Sequence, residues 1–88
     1  MLGKEINLEF QSSSGHGSNA IIKIGINETV REAEHKFCEK IGVSNSRVKD
    51  MKFIYKNKEL IPDMKISQSG LKNSSKILVI ELYNIIGA

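Results

Sequence analysis

Two places in this 88-residue chain carry side chains or ends that could do chemistry. The first is Cys38 with His35, three residues apart, the spacing of one helical face. A thiol beside an imidazole is the start of a nucleophile–base pair, but catalysis also needs a cleft and an oxyanion donor. Nothing near Cys38 in the sequence supplies either, so a partly buried structural cysteine is expected. His16 lies far from His35, and no His/Cys group has metal-ligand spacing. The glycines of "SGHGS" are not followed by a helix, which excludes a phosphate loop. No catalytic residue, cofactor or metal is therefore expected, and the chain is not read as an enzyme. The second place is "ELYNIIGA", Glu81 to Ala88, whose small-residue end Gly87-Ala88 could present a carboxylate as a chemical handle.

The elements that must position these residues follow from pattern. The length suits one domain over residues 1–88, and 40% hydrophobic with 26% charged residues is ordinary for a globular chain. No apolar run approaches the ~20 residues of a membrane helix, so no membrane partner is expected. One cysteine cannot form an internal disulfide, which suits a cytoplasmic or nuclear setting. The net charge of +3 comes from lysines scattered among ten acidic residues, with five aromatics in all, a poor base-stacking platform. No nucleic-acid partner is expected.

Ile6, Leu8 and Phe10 alternate with polar residues, as do Ile22, Ile24 and Ile26; two antiparallel strands are predicted, joined by the polar loop "SSSGHGSN". Thr29 and Glu32 form a capping-box signature, and Val30, Ala33, Phe37 and Ile41 share one face. A helix from about Val30 to Ile41, stopped by Gly42, is predicted. "VSNSRVKD" reads as a connector, "MKFIYK" as a third strand, "NKEL" as a turn into a very short fourth, and a tight helical turn is expected near Ser67. "KILVIELY" is apolar on both faces, which places it centrally in a sheet. The order is an α+β fold: a mixed sheet of four to five strands on one α-helix, ββαβ(β)β.

This order, with "NETVREAEHKFCEKIG", "FIYKNKEL" and "SGLKNSSKILVI", resembles ubiquitin and its relatives, the β-grasp family. The resemblance covers nearly the whole chain; a longer first hairpin loop and extra residues between Gly42 and Met51 are the departures. It implies that Phe53, Ile77 and Val79 face the core with Ile6, Leu8, Ile22, Ile24, Leu60, Ile66 and Leu71. It also implies that Ile54, Leu78 and Ile80 lie side by side on the outer face as a partner patch, with Lys52, Lys56 and Lys58 nearby to meet acidic residues of a partner helix. Adjacent outward Ile and Leu make a contiguous apolar patch on physical grounds as well. The family's third patch component, a Leu in the first hairpin loop, has no counterpart here.

Conjugated relatives end in Gly-Gly after an Arg-containing extension, a slim segment that reaches an activating site through a narrow channel. Here Ile85 and Ile86 are bulky, the extension from Leu82 to Ile86 holds no arginine, and Ala88 carries a methyl. The preferred expectation is a monomeric ubiquitin-like interaction domain of a larger protein, binding ubiquitin-recognition helices or domains such as those of proteasome receptors. The alternative is a modifier released from a precursor, by a protease or an intein-like self-processing domain, and conjugated through Gly87-Ala88.

Overall fold

The computed structural model describes residues 4–13 and 19–81. The tail with Gly87 and Ala88, and His16 in the first hairpin loop, lie outside the described residues. Strands β1 (Glu5–Ser12) and β2 (Ala20–Gly25) pair antiparallel, with Leu8 opposite Ile22 and Ile6 opposite Ile24. Alternation places Leu8, Phe10, Ile22 and Ile24 inward, where all four are buried.

Helix α1 (Val30–Ile41) has the expected bounds. Its start is closed on three sides. The Thr29 side chain accepts from the Glu32 amide while the Glu32 carboxylate accepts from the Thr29 amide at 2.8 Å. The amides of Val30 and Arg31, which no helical carbonyl can satisfy, donate to the carbonyls of Met64 and Pro62, each at 2.9 Å. Gly42 ends the helix at φ 81°, and its amide returns to the carbonyls of Cys38 and Glu39.

The segment expected to be a plain connector instead forms a 3₁₀ helix, Asn45–Asp50. Ser44 caps it by accepting from the Ser46 amide at 3.2 Å. Strand β3 (Met51–Tyr55) then turns through Lys56 and Asn57, at φ 51° and 68°, into the two-residue β4 (Lys58–Glu59). Two consecutive positive φ values are the demand of a type I′ hairpin, which matches the right-handed strand twist. A short 3₁₀ turn, Ile66–Gln68, stands where a tight turn was expected.

Strand β5 (Ser75–Glu81) runs parallel to β1 and antiparallel to β3, giving the order β2-β1-β5-β3-β4. It is the middle strand, as its apolar run predicted. The helix packs across the inner face, and three phenylalanines lock the two layers. Phe10 and Phe37 stack at 4.8 Å between ring centroids, and Phe53 meets both edge-on at 5.9 and 6.0 Å. Ile77 and Val79 complete the core from β5, whereas Ile6 and Leu60 are only partly buried against its margin.

Candidate functional site

On the outer face the register of β3 against β5 decides which expected patch residues meet. Ile54 lies opposite Leu78, and Lys52 lies opposite Ile80. Because side chains alternate along each strand, these four stand on one side of the sheet while Phe53 and Val79 stand on the other. Leu78 is 41% exposed; Ile54 and Ile80 are half-buried, and Lys52 is exposed. Residues Gln11 and Leu78 are partners across β1–β5, and the Gln11 amide donates to the Glu9 carboxylate at 3.1 Å. That polar pair borders the apolar group on the β1 side.

Lys56 and Lys58 go elsewhere. Both line a cleft of about 730 Å³ with Tyr55, Ile61, Met64 and Lys72. The Lys56 ammonium lies 5.5 Å from the centre of the Tyr55 ring. Tyr55 accepts from the Ser75 hydroxyl at 3.2 Å, and that bond, aided by Lys56 and Lys72, holds its phenol below the usual range. The expected cluster of six thus divides into a patch of Lys52, Ile54, Leu78 and Ile80 and two lysines that open on the adjoining cleft.

Three features were not anticipated from the sequence. Ile21, 60% exposed, stands opposite Glu9 on β2, across the polar border from Leu78. Ile61 is 57% exposed beside the lysine-lined cleft. Glu34 of α1 is only 2% exposed, and its carboxyl is pushed up to about 7, chiefly by burial; Arg31 opposes the shift and Glu59 adds to it. The helical spacing did hold a signal, since Glu34 is four residues after Val30 and three before Phe37.

Cys38 is fully enclosed, more so than expected, and burial pushes its thiol up, with Glu34 adding to the shift. Among the described residues no group of three His, Cys, Asp or Glu is placed to hold a metal ion. No helix among them is long and apolar enough to cross a membrane.

The family model of the NUB1 ubiquitin-like domain matches residues 5–82. The chain belongs to that family. No curated protein matches it. Among solved structures, the chain resembles one from a structure of molecular mimicry of SUMO that promotes DNA repair, at 18% identity and a TM-score of 0.76, covering 90% of this chain and 94% of that one. It equally resembles the ubiquitin of Caldiarchaeum subterraneum, at 18% identity and a TM-score of 0.76, covering 89% of this chain and 94% of the other. These likenesses show the fold: the mixed sheet on one helix is the ubiquitin-like β-grasp.

Proposed function

We propose that this ubiquitin-like domain is a protein-interaction module of a larger, cytoplasmic or nuclear protein, binding as a monomer. Its partners are helices or small domains that recognise ubiquitin-like surfaces, of the kind found in proteasome receptors. The observation that supports this most is the direct register of Ile54 with Leu78, which leaves an exposed leucine flanked by two half-buried isoleucines and the cation of Lys52. An amphipathic helix can lay its apolar face on that row and an acidic residue against Lys52. A patch this small supports an affinity of roughly micromolar to millimolar. Enclosure of the single thiol favours a binding module over a thiol catalyst.

Calorimetric titration of a ubiquitin-interacting helix tests the reading. Leu78→Asp places an unpartnered charge in the interface and is expected to weaken binding at least about tenfold, with the folded spectrum retained. Equal affinity for the two proteins would remove Leu78 from the interface. Conjugation through Gly87-Ala88 is the alternative reading, drawn from the small-residue end; higher-mass species that survive thiol on a denaturing immunoblot would favour it.

A further inference from the structure

A second cleft, of about 450 Å³, opens between α1, the 3₁₀ helix Asn45–Asp50 and the β3–β4 hairpin. Its lining brings together Glu34, Glu59, Arg31 and Lys49 over an apolar floor that includes Val48, Met51 and Leu60. Glu34 is 98% enclosed, yet no hydrogen bond or ion pair reaches its carboxylate among the described residues. Its natural helical partner, Arg31, lines the same cleft but pairs with Asp63. Among the described residues no fully enclosed side-chain oxygen lacks a partner, so the unbonded Glu34 oxygens must keep an opening, and the cleft is what Glu34 lines. A buried, unpartnered carboxylate is costly to keep and is an acceptor in want of a donor.

We propose that this cleft takes the side chain of an arginine presented by a partner protein, its guanidinium on Glu34 with Glu59 at the rim and its alkyl stem along Val48, Met51 and Leu60. Arginine fits better than lysine because its planar fork can serve two carboxylates and sheds water more readily than an ammonium. The apolar floor favours a side chain with a stem over a bare cation. Arg31 and Lys49 set a limit, since both are positive and line the same cleft. Arg31 is already occupied by Asp63, and β3 contributes only Met51 and Phe53, so Glu34 and Glu59 are the two carboxylates of the lining, with Asn45 and Ser46 as its neutral acceptors.

The cleft binds the ionised form of Glu34, whose carboxyl sits at about 7 in the free protein. Occupancy therefore rises as pH rises through that value, and the bound cation lowers the midpoint. The site adjoins the Ile54–Leu78 patch, since Glu59 at its rim is the cross-strand partner of Ile54, and Glu34 on α1 is the residue that tells the two apart.

The test is a titration of the isotope-labelled protein at pH 7.5 with N-acetyl-arginine methylamide, with the citrulline compound as its uncharged counterpart and methylguanidinium as the stemless cation. Saturable shifts at the amides of Glu34, Met51 and Glu59 are expected with the arginine compound and not with citrulline. The Glu34 carboxyl carbon should titrate at lower pH in its presence. Methylguanidinium should bind about tenfold more weakly, for loss of the buried stem. Glu34→Gln should keep a folded spectrum and lose the saturable shifts. Equal shifts with citrulline, an unmoved Glu34 midpoint, or binding retained in Glu34→Gln would overturn the proposal. Methylguanidinium binding as tightly as the arginine compound would overturn the assignment to a side chain.

Discussion

Glu34 shows how one residue can set a protein's response to pH. Its folded carboxyl sits at about 7, above its ordinary 4.5. Between those values the folded chain holds a proton that the unfolded chain has released. The contribution of Glu34 to stability is therefore greatest below the lower value, falls as pH rises through the window, and levels off above it. Ionising such a group in place costs up to about 3 kcal/mol, the free-energy equivalent of that displacement. Glu34→Gln carries no charge to bury, so its urea-unfolding free energy should exceed the parent's by roughly 1–2 kcal/mol at pH 8 and differ little at pH 4.5. Parallel pH profiles for the two proteins would show that Glu34 is solvated. Its burial was hard to see in the sequence because glutamate is rarely enclosed without a partner. Reading Val30, Ala33, Phe37 and Ile41 as one face, with Cys38 partly buried beside it, left out Glu34, which widens the buried stripe.

At the scale of elements, local chemistry and packing agree. The capping box of Thr29 and Glu32 closes α1 where the apolar period begins, and Gly42 ends it in the left-handed region. Thr29→Ala should cost about 1 kcal/mol in chemical unfolding, the usual loss of an N-cap. The β3–β4 turn is a sharper case, since Lys56 and Asn57 both hold positive φ. Asn57→Gly should be neutral or stabilising by up to about 0.5 kcal/mol, whereas Asn57→Val should cost more than about 1 kcal/mol, because a β-branched side chain resists that region. If the two substitutions have the same effect on the thermal midpoint, the turn is not type I′. These signals were legible because each is a short-range rule acting on neighbouring residues. The 3₁₀ helix Asn45–Asp50 was not, since "NSRVKD" has one apolar residue, Val48, and no period to read. Its conformation comes from the Ser44 cap and from Val48 packing on the core.

For the whole molecule, the central place of β5 was legible in the sequence, whereas its parallel pairing with β1 was not. An apolar run in "KILVIELY" demands neighbours on both edges, and β5 has β1 and β3. The resemblance to the β-grasp family implied that Ile54, Leu78 and Ile80 share the outer face, and the register of β3 against β5 puts them there. Their degree of exposure was not legible, because it depends on how neighbouring side chains cover them; Leu78 alone of the three stands well exposed. Nor could spacing say that Lys56 would be drawn over the Tyr55 ring and away from that row. The NUB1 ubiquitin-like domain family membership and the β-grasp fold agree with this layout, and the outer face of β3 and β5 is its proposed working surface.

Amide-shift mapping during titration with a ubiquitin-interacting helix tests that surface most directly. Shifts concentrated at Lys52, Ile54, Leu78 and Ile80, with Glu34 and Lys49 unmoved, are the predicted result. No shift at millimolar helix, or shifts confined to the far side of the sheet, would contradict it.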